Sequence, residues 1–331
     1  MKIYFFPPNK EDEIVVNNPY CTNFKEELLA YGKIVNNENT NNPKTVDHLK
    51  HLFDADIYIY NWAENIPFLR MGTIQTFLFF FCFFIVRLRR KKIIWIFHNI
   101  VPHDKNNKLS KLIRTVMLKY SSLIVTHSGD ALEYLKKQCS IPVYFFHHPV
   151  LNSLKSDAEI ITPVQYDVLI WGTILKYKGI KEFLLYLEEK KLQKTFRINI
   201  IGKCSDEKYD KCLKRYCNSY INYENRIVTF EELNILIRQT RYVLFPYLPD
   251  SVSSSGALID TVVMGGTPLG PNIGAFKDLN KENVCLNYTT YDELIKILNE
   301  DRNIEPIARE KFINSNQWTA FVANLYKMLE K

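Results

Sequence analysis

The stretch that decides the fold reads YVLFPY at 242–247, SVSSSG at 251–256 and ALIDTVVMGG at 257–266. This pattern predicts a short apolar strand, a serine-rich turn and a helix of small residues. Such a connection aims free backbone N–H groups and the positive end of the helix dipole at one point, which favours phosphate binding. The hydroxyls of Ser253, Ser254 and Ser255 add donors, and Gly256 has no Cβ to keep an anion from the backbone. An ordinary helix N-cap explains the same serines, so this stretch alone leaves both interpretations open.

A second strand-to-helix connection carries a lysine. DVLI at 167–170 predicts a buried strand, WGTILKYKGI follows it, and KEFLLYLEEKK at 181–191 has the apolar spacing of an amphipathic helix. Lys178 stands in the loop beside Gly179, where it would supply a mobile positive charge to a diphosphate. Two such connections in one half of the chain favour the phosphate interpretation.

Together the two connections resemble motifs of the family 4 (group 1) glycosyltransferases, which have the GT-B fold. The C-terminal domain of that family carries a G-x(5)-K-G loop and a later P-Y-x(n)-S-G-x(3)-[DE]-x(4)-G-x-P segment. The matching residues here are Gly172, Lys178 and Gly179, then Pro246, Tyr247, Ser255, Gly256, Asp260, Gly265 or Gly266, and Pro268. The resemblance implies an α/β protein with two Rossmann-like domains facing a cleft.

The resemblance also implies a function. It predicts a retaining transferase that moves a sugar from a nucleotide-diphosphate donor to a glycan or lipid-linked glycan, in surface polysaccharide biosynthesis. It implies no metal and no cofactor besides the donor substrate. The predicted donor-binding residues are Gly172, Thr173, Lys178, Gly179, Tyr247, Ser253, Ser254, Ser255, Gly256 and Asp260.

Two departures from the family pattern concern the donor. Many members follow the first glycine with Arg, but this chain has Thr173, so Lys178 would carry the diphosphate charge with help only from Lys176 or Lys203. A family glutamate that binds donor-sugar hydroxyls is replaced by Ser253, and the later acid is Asp260 or is displaced to Thr261, depending on the alignment of Gly265 and Gly266. A catalytically silent nucleotide-sugar-binding subunit is therefore the alternative function, and a GT-B sugar epimerase is a third, weaker one.

Length and alternation of elements agree with two domains. The chain has 331 residues, of which 47% are hydrophobic, and this exceeds what one core usually holds. Strand signals that alternate with helix signals predict parallel sheets covered on both faces. The predicted strands are KIYFF, ADIYIYN, KIIWIFHN, SLIVTHS, VYFFHH, DVLIWG, FRINIIG, RIVTF, RYVLFPY and TPLG.

The domain boundaries follow from where this alternation breaks. We predict an N-terminal acceptor-binding domain over 1–150, a polar linker over 151–165 and a C-terminal nucleotide-sugar-binding domain over 166–307. A helix over 308–331 follows, and in the GT-B family the last helix crosses back to the first domain.

The apolar strand IIWIF at 93–97 ends abruptly at two polar residues, His98 and Asn99. Ligands of open α/β sheets bind at such strand ends. Family members have a His at the end of this strand close to the donor sugar, so His98 is the first catalytic candidate, bonding a sugar hydroxyl or stabilising charge on phosphate. Asn99 is assigned to the acceptor, while His103 and His127 are weaker candidates. A structural His that caps backbone groups is the alternative for His98.

Two further loops of the first half predict acceptor contacts. The loop 7–23 contains no glycine, unlike that of many family members, so Asn18 and Tyr20 would recognise an acceptor through side-chain hydrogen bonds. The loop YNWAENIP brings Trp62 and Glu64 to a strand end, where an indole can stack on a sugar and a carboxylate can bind hydroxyls or act as a base. A buried structural Trp is the alternative for Trp62.

A run of ten apolar residues, Phe77–Val86, is followed by five basic residues between 87 and 92. The run is too short to span a bilayer, which needs ~20 residues, but it suits the surface of an anionic inner leaflet. A buried helix is the alternative. The net charge of +7 favours anionic partners, with no pattern for nucleic acid. Since no signal peptide is visible, we expect a cytoplasmic protein with peripheral membrane contact.

The seven cysteines form no C-x-x-C pair. Cys204, Cys212 and Cys217 lie close in sequence without a fourth ligand at suitable spacing, so we expect free thiols and neither disulfides nor a metal site.

Overall fold

Buried apolar strands alternate with helices to build two parallel sheets. The computed structural model describes residues 1–9, 19–100, 107–151, 163–248 and 255–330. The chain divides into an N-terminal unit, Met1–His147 with Trp318–Lys331, and a C-terminal unit, His148–Gln317.

The N-terminal unit contains one sheet of six strands. Its strands are β1 (Lys2–Phe6), β2 (Lys33–Ile34), β3 (Ile57–Asn61), β4 (Lys92–Phe97), β5 (Leu123–Thr126) and β6 (Val143–Phe145). The order is β2-β1-β3-β4-β5-β6, with every pair parallel. The five residues of β3 are all buried, as expected for a strand covered on both faces.

Side chains cap the amino ends of some of the helices that cover this sheet. The helices are α1 (Pro19–Leu28), α2 (Lys44–Lys50), a 3₁₀ helix (Ala63–Phe68), α3 (Gly72–Leu88), α4 (Lys108–Tyr120) and α5 (Gly129–Gln138). Asn107 accepts hydrogen bonds from the N–H groups of Leu109 and Ser110 at the start of α4, and Ser128 caps α5.

The C-terminal unit contains a second parallel sheet of six strands. They are β7 (Tyr166–Trp171), β8 (Ile198–Ile201), β9 (Ile221–Glu224), β10 (Thr240–Leu244), β11 (Pro268–Pro271) and β12 (Leu286–Tyr288), in the order β12-β11-β10-β7-β8-β9. This is the strand order of dinucleotide-binding Rossmann domains. The helices are a 3₁₀ turn (Lys176–Lys178), α6 (Ile180–Glu189), α7 (Glu207–Lys214), α8 (Phe230–Arg238), α9 (Gly256–Val263), α10 (Gly274–Lys281), α11 (Tyr291–Asn299) and α12 (Pro306–Ser315).

The C-terminal tail forms two helices rather than the single one predicted over 308–331. Helix α12 ends at Ser315, and α13 (Trp318–Leu329) is part of the N-terminal unit. There it packs on α1, with the rings of Phe24 and Phe321 5.1 Å apart, and Tyr326 stacks on Tyr31 at 4.4 Å.

One predicted strand is wrong. RIVTF at 226–230 forms the approach to α8, because the Thr229 hydroxyl accepts from the N–H of Glu232 and caps that helix. The edge strand is β9 instead, whose exposed polar residues gave no strand signal. The short elements β2, β12, α2, α10 and α11 were also not predicted.

Candidate functional site

In the C-terminal unit the sheet reverses its strand order between β7 and β10. The chain runs outward from β7 to β8 and β9, then returns to β10 on the other side of β7. Helices leave the two strands in opposite directions there, which opens a crevice at their carboxyl ends. The two motifs found in the sequence lie at these two strand ends.

Close backbone packing shapes the loop after β7. Gly172 and Gly179 both have positive φ, +95° and +67°. A Cβ on Gly179 would lie 2.0 Å from the carbonyl oxygen of Pro246, so the loop rests directly on the end of β10. A Cβ on Gly202 would lie 1.9 Å from the Gly172 oxygen. Glycine is therefore required at 179 and 202, and sequence reasoning did not identify Gly202.

Lys178 is buried although it carries a charge. Its side chain is 7% exposed, and its Nζ lies 5.6 Å from the ring centre of Tyr247. No carboxylate of the described ranges forms an ion pair with it, and burial lowers the pKa of its ammonium group. The nearby Lys176 is exposed and pairs with Asp206 at 2.7 Å. Lys178 is thus the buried cation of this crevice, whereas Lys176 is held by a carboxylate.

The amino end of α9 borders the same aromatic ring. Ser255 is the N-cap residue but makes no capping hydrogen bond, and its Oγ lies 3.4 Å from the Tyr247 hydroxyl. Among the described residues, a Cβ on Gly256 would have only His148 Nε2 nearby, at 3.9 Å. The first N–H groups of the helix and the space in front of Gly256 therefore suit an anion. Ser253 and Ser254 lie outside the described residues.

Two titratable groups of this unit lie near the start of α9. Burial raises the pKa of Asp260, one turn into the helix, to about 7. Burial lowers the pKa of His148 to about 4, and its Nδ1 lies 3.0 Å from the Pro149 carbonyl oxygen. Sequence reasoning assigned Asp260 to the donor but gave no such role to His148.

Asp260 and Thr261, the two positions that the sequence left open for the later acid of the motif, have different surroundings in the structure. Thr261 is fully buried, where its Oγ1 accepts from Trp171 Nε1 at 3.0 Å and donates to the Ala257 carbonyl at 2.8 Å. Asp260 is partly exposed. Of these two side chains, only that of Asp260 is accessible in the structure. Thr173 is exposed beside Gly172.

In the N-terminal unit, a cluster of rings surrounds His98. The imidazole stacks on the indole of Trp62 at 4.1 Å with 13° between the planes, and Tyr20 meets it edge-on at 5.1 Å. Nε2 lies 3.2 Å from Asn61 Oδ1. Because Asn61 Nδ2 donates to the Phe6 carbonyl, Oδ1 is the acceptor and Nε2 carries the proton. His98 is 6% exposed, so it has a packing role whatever its chemistry.

His127 belongs to the same cluster. Its Nδ1 donates to the Phe146 carbonyl at 2.7 Å, so Nε2 accepts from the Tyr20 hydroxyl at 2.7 Å. Tyr20 also meets Trp318 of α13 at 5.0 Å. The tyrosine predicted to recognise an acceptor is instead buried and holds β5, α1 and α13 together.

A pocket of ≈ 460 Å³ opens at the strand-order reversal of this sheet, between the ends of β1 and β3. Trp62 stands at its edge with φ of +50°, a conformation that is unusual for a residue other than glycine. The lining residues are Phe6, Pro7, Lys44, Asn61, Trp62, Asn65, Ile66, Phe68 and Leu69.

Glu64 does not face this pocket. Its side chain is 2% exposed, its Oε2 has no hydrogen-bond partner among the described residues, and burial raises its pKa. A carboxyl enclosed in this way cannot meet a substrate in this conformation. Asn99 is half-buried, and its carbonyl accepts from Arg114 Nη1 at 3.1 Å. Asn18 and His103 lie outside the described residues.

Within the described ranges, no group of three or more His, Cys, Asp or Glu side chains could hold a metal ion. All seven cysteines are free, and Cys82, Cys204 and Cys285 are among the buried ones.

Of the comparisons with known proteins, the comparison of structures gave matches and those of sequence did not. No protein-family model matches the sequence, and no curated protein matches it significantly. A structure of OtsA, a trehalose-6-phosphate synthase, superposes with a TM-score of 0.66 at 10% identity, covering 100% of this chain and 99% of its own. AviGT4, a glycosyltransferase involved in avilamycin A biosynthesis, gives 0.63 at 13% identity, covering 99% and 96%. The chain has a GT-B fold.

A third structure contains bound UDP-2-fluoro glucose. It is described as trehalose-6-phosphate from E. coli bound with UDP-2-fluoro glucose, with a TM-score of 0.60 at 11% identity and coverage of 96% and 86%. At such identities the likeness establishes the fold. The GT-B prediction from the sequence is confirmed, and the functional residues stay predictions.

Proposed function

We propose that this protein is a glycosyltransferase that takes a sugar from a nucleotide-diphosphate donor. The observation that carries the proposal is Lys178, a buried cation without an anionic partner among the described residues, at the strand-order reversal of the C-terminal sheet. Burial of an unpaired charge costs stability, and a bound anion would offset that cost.

The surroundings of Lys178 suit an elongated anion better than a single phosphate. Lys178 lies over the face of the Tyr247 ring, and Ser255 at the start of α9 lies beside its hydroxyl. A diphosphate offers two charged groups, one for the ammonium group and one for the helix N–H groups. The GT-B structure with UDP-2-fluoro glucose supports a nucleotide sugar as the ligand class.

The proposed reaction retains configuration at the anomeric carbon. The bond from C1 to the diphosphate oxygen breaks, a bond from C1 to the acceptor oxygen forms on the same face, and the acceptor proton passes to the leaving diphosphate. His98 would stabilise charge on the leaving phosphate or bond a sugar hydroxyl. Glu64 has no part in this proposal because it is enclosed.

The proposed acceptor is a glycan or lipid-linked glycan in surface polysaccharide assembly, and the proposed location is the cytoplasm at the inner face of the membrane. The pocket between β1 and β3 is the proposed acceptor contact. It combines the edge of Trp62 with the polar groups of Asn65 and Lys44.

Calorimetry with a nucleotide panel tests the donor assignment. We expect one of UDP, GDP and dTDP to bind at least about tenfold more tightly than its monophosphate, because the second phosphate adds a charge-assisted contact. Equal affinity for the mono- and diphosphate of every base would contradict the proposal. Diphosphate binding without turnover of any sugar donor would favour the alternative, a nucleotide-sugar-binding subunit.

A further inference from the structure

Helix α3 exposes apolar side chains on the face that a surface helix usually fills with polar ones. Its inner face, with Phe79, Cys82, Phe83 and Val86, is fully buried in the N-terminal unit. Its outer face carries an apolar stripe at helical spacing whose members are between 40% and 81% exposed. The stripe consists of Ile74, Phe77, Phe81, Phe84 and Leu88. A contiguous exposed patch of this kind marks an interaction surface.

Within α3 and α4 the charges beside the stripe are all positive. Residues 68–92 and helix α4 contain no Asp or Glu. Arg87, Arg90 and Lys92 are exposed at the end of α3, and Lys108, Lys111 and Lys119 are exposed on α4.

The two helices form one continuous surface. The Phe84 ring lies 5.7 Å from that of Tyr120 on α4, and Lys119 Nζ lies 5.2 Å over the same Tyr120 ring. Two other basic residues are engaged within the protein, since Arg89 donates to the Leu52 carbonyl and Lys91 pairs with Asp56. The exposed cations named above form no ion pair within the described part of the chain, which leaves them for an external partner.

We propose that the stripe of α3, with its basic border, is a docking surface for an anionic lipid bilayer. Helix α3 would lie in the plane of the interface, with the Phe and Ile side chains among the acyl chains and the Arg and Lys side chains at the headgroups. Its 17 residues extend over ~26 Å at about 1.5 Å per residue, which gives a long line of contact. No helix among the described residues is long and apolar enough to cross a membrane.

The positive charge beside the stripe favours an anionic bilayer over a second copy of this chain as the partner. A symmetric dimer would place the same patch on itself and bring the basic borders of α3 and α4 together, and like charges there oppose association. An anionic surface offers both apolar volume and opposite charge. The inference is independent of the proposed enzymatic activity, because membrane binding is measured without a substrate.

Co-sedimentation of the full chain with lipid vesicles tests the proposal. We expect binding to vesicles of phosphatidylcholine mixed with phosphatidylglycerol, weaker binding to phosphatidylcholine alone, and loss of the difference at high salt. Replacing Phe77→Ser together with Phe81→Ser should lower the partition coefficient at least tenfold. Replacing Arg87→Gln together with Arg90→Gln should lower it about fivefold per residue on anionic vesicles only.

Exposed apolar residues of the C-terminal unit supply the matched control. Ile227→Ser together with Ile307→Ser removes similar exposed area elsewhere and should leave partitioning unchanged. Unchanged melting temperatures show that the variants are folded. Failure of the wild type to bind anionic vesicles would overturn the proposal. So would a dimer in solution that the Phe77→Ser, Phe81→Ser variant abolishes.

Discussion

Replacing Lys178→Met separates ligand binding from folding. Methionine keeps the length of the side chain and removes its charge. If Lys178 binds a diphosphate, one charge-assisted hydrogen bond is lost, worth about 1.5–3 kcal/mol, so the dissociation constant of the preferred nucleoside diphosphate should rise about 10- to 150-fold. Calorimetry against the diphosphate and the matching monophosphate measures this, and the loss should be larger for the diphosphate.

The same replacement should not destabilise the protein without ligand. Lys178 is a buried cation without an ion-pair partner in the described part of the chain, so the variant should melt at the same temperature or a few degrees higher. Its folded-state pKa lies below that of the unfolded chain. The wild type should therefore recover stability relative to the variant as pH rises through the lowered pKa towards the ordinary value of about 10.4.

Lys176→Met is the matched control, because Lys176 lies in the same loop, is exposed and pairs with Asp206. It should change diphosphate affinity by less than about threefold, since exposed ion pairs contribute little. Equal effects of the two replacements on affinity would refute the assignment. A Lys178→Met protein with unchanged affinity, or one that is strongly destabilised, would also refute the reasoning.

Three further predictions concern single residues. Gly256→Val should fold normally, because among the described residues a Cβ there meets only His148, at 3.9 Å. It should abolish diphosphate binding in calorimetry, and normal binding would mean that the turn is only a helix cap. His98→Ala should lower turnover at least ~100-fold with donor affinity changed several-fold at most. Recovery of the rate in His98→Phe, which keeps an aromatic ring without a hydrogen-bonding nitrogen, would indicate a packing role instead. Asp260→Asn should match the wild type in stability below pH 4. Above pH 7 it should melt several degrees higher than the wild type. The folded pKa of the wild-type carboxyl is raised to about 7, so between pH 4 and pH 7 the carboxyl ionises in the unfolded chain but keeps its proton in the folded protein, and the wild type loses stability. No pH dependence of the difference would contradict this.

The sequence predicted the architecture well because buried parallel strands leave a strong signal. Strands such as Ile57–Asn61 and Lys92–Phe97 are nearly continuous apolar runs, and both were found within two residues of their observed limits. The edge strand Ile221–Glu224 was missed because exposed edge residues need not be apolar. RIVTF was misassigned because β-branched residues also occur before a Thr-capped helix.

The candidate site was only partly predictable from the sequence. Gly172, Lys178, Tyr247 and Gly256 were found because each stands in a motif with fixed spacing, and the structure brings them to two adjacent strand ends. The roles of other residues depend on contacts with residues that are far away in the sequence. A local sequence pattern does not reveal such contacts. Glu64 stands in a loop yet is enclosed, and Gly202 is required only because β8 ends against Gly172.

The central claim is transfer from a nucleotide-diphosphate sugar, and release of free nucleoside diphosphate measures it most directly. Wild-type protein, Lys178→Met and Lys176→Met are each incubated with UDP-, GDP- and dTDP-sugars, with and without a membrane extract as a source of acceptor. We predict that the wild type releases the nucleoside diphosphate from the sugars of one nucleotide and releases it faster when acceptor is present. Lys176→Met should keep this activity, and Lys178→Met should lose it at subsaturating donor concentrations. Absence of release from every donor, or equal release by the wild type and Lys178→Met, would contradict the account.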